Sequence, residues 1–255
     1  MHILEVRDIT KHFSGIKAVE DVSFRVKEGA VASIIGPNGA GKTTLFNCLT
    51  GLTKPTKGSI FLSGNNISGL APHRIVGFGI ARTFQNIRLF REMTVLENVL
   101  VSQHLRIRSG MVGAVIRGRE FIREEREIRD RAFEYLELVG LEDAADLPSL
   151  NLPYGDQRRL EIARALATEP KILLLDEPTA GMNPQETLGI MEIIKRLQGL
   201  GKTVIFIEHD MRVVMGISEA IIVLDHGVKI AEGSPDSIKN DPLVIEAYIG
   251  RNIFA

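Results

Sequence analysis

The sequence predicts an α/β protein with a mostly parallel sheet, an antiparallel β subdomain near the N-terminus and an α-helical subdomain inserted into the core. Short apolar runs that alternate with helical segments predict the parallel sheet. Polar and apolar residues alternate near the N-terminus, as they do in half-buried antiparallel strands. Helical periodicity then dominates the middle of the chain, which predicts the inserted subdomain.

The individual elements follow from these patterns. Strands are expected, in chain order, at residues 3–9, 22–26, 30–35, 59–62, 79–84, 172–175, 204–207 and 220–224. A helix is expected at 43–52, where Gly51 and Pro55 end the helical pattern. The apolar stripe of an amphipathic helix in the middle of the chain consists of Phe121, Ile122, Ile128, Ala132, Tyr135, Leu136 and Val139. The dense charge around this stripe favours a solvated helix face, and a docking surface is the alternative.

The composition favours an ordinary globular protein without general affinity for nucleic acid. Of the 255 residues, 44% are hydrophobic and 25% are charged, and the net charge is −1. This balance gives no positive field to attract nucleic acid or anionic lipid. We expect no secretory signal, since no apolar h-region is visible, and no membrane span, since no run reaches about 18 apolar residues. The single cysteine, Cys48, is expected to be a buried apolar residue.

A glycine-rich segment between the buried strand at 30–35 and the following helix matches G-x-x-x-x-G-K-[ST]. Glycines let successive backbone N–H groups turn inward toward phosphate oxygens, and the helix N-terminus favours the same anion. In this pattern Lys42 reaches the terminal phosphates and Thr43 binds Mg²⁺. The predicted nucleotide-binding residues here are Gly36, Pro37, Asn38, Gly39, Ala40, Gly41, Lys42, Thr43 and Thr44.

Two acids follow the apolar run at 172–175 directly. Asp176 and Glu177 are expected at the carboxyl edge of the sheet, where ligands of parallel α/β proteins bind. Asp176 is placed to hold Mg²⁺, usually through water, and Glu177 to orient or deprotonate an attacking water. Two acids that merely cap a strand before Pro178 are the alternative, which the glycine-rich segment upstream disfavours.

Further motifs resemble the ABC ATPase family over essentially the whole chain. The segment LPYGDQRR, which begins at Leu152, occupies the place of that family's signature loop. Gln85 in RTFQN resembles the Q-loop glutamine, Glu208-His209-Asp210 the H-loop and residues 179–184 the D-loop. The resemblance implies a P-loop NTPase fold of the ABC ATPase type, with ATP and Mg²⁺ as cofactors.

The resemblance also implies a two-fold dimer with ATP between its subunits. Each nucleotide would lie on the phosphate loop of one subunit, under Tyr154, Gly155 and Asp156 of the other. Four family positions are changed: Pro153 replaces a serine, Tyr154 a glycine, Asp156 a glutamine and Asn183 an aspartate. These changes affect the expected contacts between subunits and leave the ATPase assignment intact.

The resemblance assigns roles to three more side chains. Gln85 would contact both Mg²⁺ and the attacking water, so it is expected among the metal ligands with Thr43 and Asp176. His209 would contact the terminal phosphate, and the alternative is a histidine that caps a strand. Phe13 in KHFSGIKAV resembles the aromatic that stacks on adenine, and packing within the fold is the alternative.

A single ABC ATPase domain is therefore expected over residues 1–255. Residues 1–91 and 166–255 would form the nucleotide-binding core with the β subdomain, and residues 92–165 the helical subdomain with the signature loop. Four segments, LPYGDQRRLEIARAL, DEPTAGMNP, IEHDM and DPLVIEAYIG, are similar to the ATP-binding subunits of bacterial and archaeal branched-chain amino acid importers.

That similarity implies a set of partners and a location. The partners are a second ATPase subunit (the same chain or a close relative), two transmembrane permease subunits and, indirectly, an extracytoplasmic solute-binding protein. The location is cytoplasmic, peripheral on the inner face of the cell membrane, and no nucleic acid partner is expected. The alternatives are the ATPase of a lipopolysaccharide-type exporter and a soluble ABC ATPase that acts on DNA or ribosomes. A regulatory module without hydrolysis would lack an acid at the position of Glu177.

Overall fold

The structure is a computed structural model that describes residues 1–103 and 119–249, with only the backbone described for residues 119–122 and 249. It has the predicted α/β fold, with two sheets and helices on both faces of the larger one. Within the described residues, no helix is both long enough and apolar enough to span a bilayer.

The smaller sheet is the expected antiparallel β subdomain. Its strands are β1 His2–Phe13, β2 Ile16–Lys27, β4 Lys57–Leu62 and β5 Asn65–Asn66, in the order β2-β1-β4-β5. Strands β1 and β2 are longer than the alternation predicts, because pairing continues through several bulges up to Phe13 and Ile16. A two-residue turn at Ser14 and Gly15, both with positive φ, joins them.

The larger sheet has six strands in the order β10-β9-β3-β8-β7-β6. They are β3 Val31–Ile35, β6 Ile80–Arg82, β7 Ile172–Asp176, β8 Thr203–Ile207, β9 Ala220–Asp225 and β10 Val228–Gly233. All neighbouring pairs are parallel except the β9–β10 hairpin. The carboxyl ends of β3, β8 and β7 therefore lie side by side at one edge of the sheet.

Strand β6 is shorter than the predicted 79–84. Thr83 still donates its backbone N–H to the Leu174 carbonyl, but the backbone N–H of Phe84 donates to Glu161 of a neighbouring helix. The chain therefore leaves the sheet between these two residues, and the loop that contains Gln85 begins there.

The helices, in chain order, are α1 Lys42–Leu49, α2 Pro72–Phe78, α3 Val95–Ser102, α4 Arg119–Val139, α5 Tyr154–Leu166, α6 Pro184–Gly199, α7 Met211–Ile217, α8 Pro235–Lys239 and α9 Pro242–Ile249. Helix α1 ends three residues before the predicted 52. Helices α3, α4 and α5 pack together, and the α4 positions Ile128, Ala132, Leu136 and Val139 of the predicted stripe are buried. The side chains of Phe121 and Ile122 lie outside the described residues.

The larger sheet separates two apolar cores, and the residues of β3 alternate between them. Val31 and Ile35 face the core shared with the inserted helices, α6 and α7, whereas Ala32 and Ile34 face α1 and the smaller sheet. Cys48 is fully buried in the second core, as expected. Burial raises the pKa of its thiol to about 11.

Candidate nucleotide-binding site

The glycine-rich segment forms a tight loop between β3 and α1. Gly36, Gly39 and Gly41 all have positive φ, and Gly41 is the N-cap of α1. A Cβ added at Gly36 would lie 2.1 Å from the Leu224 carbonyl oxygen, and one at Gly41 would lie 2.4 Å from that of Ala18. At these two positions both the backbone conformation and the available space require glycine.

The sides of the loop differ in the space around them. A Cβ added at Gly39 would meet no atom within 4 Å, and Asn38 and Gly39 are both exposed. The ammonium group of Lys42 lies over the loop and donates hydrogen bonds to the carbonyls of Gly36 (2.7 Å) and Pro37 (3.0 Å). The loop is thus open to solvent on the side where the N-terminus of α1 and an ammonium group can meet an anion.

Asp176 ends β7 at the same edge of the sheet and is held by a buried arginine. Its Oδ2 atom accepts a hydrogen bond of 2.6 Å from the guanidinium of Arg82, and both side chains are almost fully buried. Arg82 also donates to Asn47 of α1 at 2.7 Å. The guanidinium therefore ties the helix after the phosphate loop to the carboxylate that is expected to act on Mg²⁺.

Gln85 and Glu177 meet directly. The Gln85 amide donates a 2.9 Å hydrogen bond to the Glu177 carboxylate. Glu177 lies one residue beyond β7 in a left-handed backbone conformation, with φ of 47°, and its N–H donates to the Ile207 carbonyl. Such a conformation is uncommon for a residue other than glycine, and here it turns the side chain out of the sheet.

His209 follows β8, which lies between β3 and β7. Its side chain is 66% exposed, so it is free to contact a ligand at this edge. Its neighbour Glu208 is buried and accepts hydrogen bonds from the backbone N–H (2.9 Å) and the hydroxyl (2.5 Å) of Thr179. Glu208 therefore fixes the segment after Glu177, which is a structural role that the motif alone did not reveal.

The signature residues begin α5 and pack against the N-terminus of α6 in the same chain. Pro153 is the N-cap of α5, Tyr154 is half exposed, and Gly155 and Asp156 are in the first turn. A Cβ added at Gly155 would lie 2.8 Å from a carboxylate oxygen of Glu186. An added methyl group at Gly155 would therefore require the Glu186 carboxylate to shift.

Asn183 forms a complete capping box at α6. Its side chain accepts from the backbone N–H of Glu186 at 3.0 Å, and the Glu186 carboxylate accepts from the backbone N–H of Asn183 at 2.9 Å. Asparagine and aspartate cap helices about equally well. The change from the family's aspartate therefore preserves the start of α6.

Phe13 lies at the tip of the β1–β2 hairpin and is 46% exposed. The Lys11 ammonium lies 4.8 Å from the centre of its ring. The same hairpin reaches the phosphate loop, because the Ala18 carbonyl is the atom that an added Cβ at Gly41 would strike. An exposed aromatic beside this loop suits the stacking role expected of Phe13.

Two residues near the site were not anticipated. Arg82 is a charged residue that is buried in the fold, and its partners Asp176 and Asn47 are distant from it in the sequence. The sequence around Arg82 therefore gives no sign of this role. Tyr248 of α9 has a buried hydroxyl that approaches the backbone of Gly36 without completing a hydrogen bond of normal geometry. Burial raises the Tyr248 pKa to about 12. The segment around Tyr248 contributes to the family resemblance, but nothing in the sequence predicts that its hydroxyl is buried close to Gly36.

The donor set of the site fits a magnesium nucleotide. A glycine loop with an ammonium group suits the phosphates, and carboxylates with a threonine hydroxyl suit a hard cation. In the described part of the chain, no three His, Cys, Asp or Glu side chains converge as a metal cage. Fold and site together define a P-loop ATPase.

Comparison with known proteins identifies the family. The family model described as "ABC transporter" matches residues 19–180, and the one described as "Branched-chain amino acid ATP-binding cassette transporter" matches residues 228–252. The high-affinity branched-chain amino acid transport ATP-binding protein LivG of Salmonella typhimurium is 49% identical over 249 residues, which cover 97% of this chain and 98% of LivG.

Solved structures agree with the sequence relatives. The ADP conformation of MJ1267, an ATP-binding cassette of an ABC transporter, is 35% identical with a TM-score of 0.86, and the match covers 98% of this chain and 99% of that one. A dimeric post-hydrolysis state of the ATP-binding cassette MJ0796 bound to ADP and Pi is 32% identical with a TM-score of 0.76, covering 91% and 98%. The chain belongs to the ABC transporter family of ATP-binding cassettes and is an ATPase, as predicted.

Proposed function

We propose that this chain is the ATP-hydrolysing subunit of an ABC importer for branched-chain amino acids. The observation that carries the ATPase part is the convergence at one sheet edge of the phosphate loop, Asp176–Glu177 and His209, with Gln85 bonded to Glu177. The transport part is supported by the similarity to LivG over nearly the whole chain and by the C-terminal family match.

Each residue of the site has a role in this proposal. The loop from Gly36 to Thr44 would bind the phosphates, with the Lys42 ammonium on the terminal ones. Thr43, Gln85 and Asp176 would hold Mg²⁺, which when bound neutralises phosphate charge during transfer. The Arg82 ion pair fixes one oxygen of Asp176, which favours contact with the metal through water.

Glu177 is the proposed base for the attacking water. Its carboxylate would accept the proton of the water, and the Gln85 amide would hold that carboxylate in position. His209 would contact the terminal phosphate, and Phe13 would stack on adenine. The roles of His209 and Phe13 are supported by the exposure of these two side chains together with the family resemblance.

The proposal includes a dimer and membrane partners. Tyr154, Gly155 and Asp156 of one subunit would close over the nucleotide of the other, and the dimeric MJ0796 cassette supports this arrangement. Two permease subunits would dock on the helical subdomain, residues 92–165, and an extracytoplasmic solute-binding protein would deliver the amino acid. The chain would then be cytoplasmic and peripheral on the inner face of the membrane, without a nucleic acid partner.

The assignment of Glu177 is tested by Glu177→Gln, which keeps the shape of the side chain and removes the base. We expect ATP affinity within about threefold of the wild type, hydrolysis reduced by about 100-fold or more, and ATP-dependent dimers in sedimentation. Lys42→Ala is the contrasting variant, and it should weaken nucleotide binding by about tenfold or more. Rapid multiple turnover by Glu177→Gln would contradict the assignment.

The transported solute is tested by co-purifying the permease chains and reconstituting the complex in vesicles. We expect ATP-dependent uptake of leucine, isoleucine or valine when the solute-binding protein is present, and none with Glu177→Gln subunits. Outward movement of a lipid-linked saccharide would instead support the exporter alternative. Recovery of ribosomes or DNA in place of permeases would support a non-transport ATPase.

A further inference from the structure

The loop that carries Gln85 is bound mainly by helix α5, whose N-terminus is the signature segment. Arg158 of α5 donates hydrogen bonds to the carbonyls of Phe84 (2.5 Å) and Gln85 (2.8 Å). Glu161, one turn further along α5, accepts from the backbone N–H of Phe84 at 3.2 Å. These two side chains also form an ion pair of 2.8 Å, so the arginine is held by its partner while it holds the loop.

This ion pair is buried to an unusual degree. The side chain of Arg158 has no exposed surface, and that of Glu161 is 6% exposed. Burial raises the pKa of Glu161, and the charge of Arg158 opposes that rise. A buried ion pair is costly to form unless its remaining hydrogen-bonding groups are satisfied. Here the loop backbone bonds to both terminal nitrogens of Arg158 and to one oxygen of Glu161, and the Arg158 Nε is left without a partner.

The same helix face continues to bind the loop beyond Gln85. Arg164, one further turn along α5, donates to the Arg88 carbonyl, and its guanidinium lies 4.9 Å from the centre of the Phe90 ring. By contrast, the start of the loop is linked to the core by the bond from the Thr83 N–H to the Leu174 carbonyl, the bond from the Asp176 N–H to the Thr83 hydroxyl, and the bond from Gln85 to Glu177. Beyond Thr83, the backbone of this loop is therefore bonded mainly to α5.

We propose that Arg158 and Glu161 are positioning residues that hold the Gln85 loop on the signature helix, so that the Gln85 amide reaches Glu177 and loop and helix move as one body. The bidentate contact with two successive carbonyls fixes the loop backbone directly before and at Gln85. Any shift of Gln85 in one nucleotide site would thereby shift the signature residues that the same subunit presents to the other site. This inference rests on the proposed ATPase function and adds a physical link between the two sites.

The test uses two variants of the pair in the full-length protein. Arg158→Lys keeps the charge next to Glu161 but replaces the planar fork with a single ammonium, which cannot bind both carbonyls with the same geometry. Arg158→Met combined with Glu161→Met removes both charges, so that no unpaired carboxylate is left buried. Thermal unfolding of each variant establishes that it is folded before activity is measured.

We expect both variants to lower kcat by about 10- to 100-fold, since a displacement of about 1 Å in a catalytic group has effects of this size. Nucleotide affinity should stay within about threefold of the wild type, because the two side chains bond to the backbone of the Gln85 loop and to each other. In the Gln85→Ala background, where the amide is already absent, the same changes should lower kcat by less than about twofold.

The control is Arg25→Met, which removes an arginine from an ion pair with Glu5 on the smaller sheet, far along the chain from these motifs. It should leave kcat within about twofold of the wild type. Folded pair variants with wild-type kcat would overturn the inference, as would a full loss of kcat in the Gln85→Ala background. The separate Glu177→Gln experiment distinguishes this result from failure of the ATPase assignment, because it does not involve the pair.

Discussion

Removing one partner of the ion pair between Arg82 and Asp176 is expected to destabilise the nucleotide-free protein strongly. The two groups are 2.6 Å apart, and their side chains are 6% and 5% exposed. The perturbation is Arg82→Met, which preserves much of the side-chain volume but leaves the Asp176 carboxylate without its cationic partner. It also removes hydrogen bonds to Asn47 and Thr50 of the phosphate-loop helix region.

The expected magnitude follows from burial. Removing one partner of a buried ion pair costs about 3–5 kcal/mol, because the remaining charge is desolvated and unpaired. For a protein of this size, the loss corresponds to a decrease of roughly 6–20 °C in Tm. Arg82→Met combined with Asp176→Asn removes both charges and should recover most of the loss, to within about 2 kcal/mol of the wild type.

Thermal and urea unfolding without nucleotide, followed by circular dichroism, provide the assay. Arg25→Met serves as the exposed control, because Arg25 is 60% exposed in its ion pair with Glu5 and its loss should leave the unfolding midpoint almost unchanged. A loss below about 1 kcal/mol for Arg82→Met would refute the reasoning. The same holds if the double variant is no more stable than the single one.

Two further predictions concern the phosphate-loop region. Gly39→Ala should cost about 1–2 kcal/mol of unfolding free energy through backbone strain alone. Gly41→Ala should cost about 1–3 kcal/mol more than Gly39→Ala, because its Cβ would also lie 2.4 Å from the Ala18 carbonyl oxygen. Urea unfolding measures the loss of stability in both glycine variants, and equal losses in the two would contradict this prediction. Cys48, with its pKa raised to about 11, should not react with iodoacetamide at pH 8 in the folded state, and rapid labelling would show that the site opens. Its folded pKa lies above the ordinary thiol pKa of 9.0, so its contribution to stability is fully present below pH 9 and is lost as pH rises through about 11.

The sequence predicted the elements whose local pattern is strong and missed the contacts that join distant segments. Apolar runs placed β3, β7 and β8 within about a residue of their observed bounds, because fully buried strands leave an uninterrupted signal. Helix α2, Pro72–Phe78, was missed because only one of its residues, Ile75, is buried, so it has no apolar stripe. Strand β10 was missed for a similar reason, since all its residues are partly or fully exposed.

The candidate site shows the same division between local and distant signals. Lys42, Asp176 and Glu177 stand in motifs whose spacing predicts their chemistry, and the structure brings their strands to one edge. Arg82 and Arg158 carry no such local signal. The partners of Arg82 lie 32, 35 and 94 residues away, and those of Arg158 lie 73 and 74 residues away or one turn along the same helix. From the sequence alone, charged residues at those positions are expected on the protein surface, and only the fold shows that they are buried.

The positions at which this chain differs from the family pattern have unequal consequences. Asn183 keeps the capping box of α6, so this change leaves the D-loop anchored as an aspartate would. Pro153 is different, since it supplies no side-chain oxygen to the N-terminus of α5, and no side-chain cap bond is formed there. Any phosphate contact at this helix must therefore come from the backbone N–H groups and from the neighbouring side chains. That places more of the contact on the backbone of Gly155, which lies in the first turn of α5.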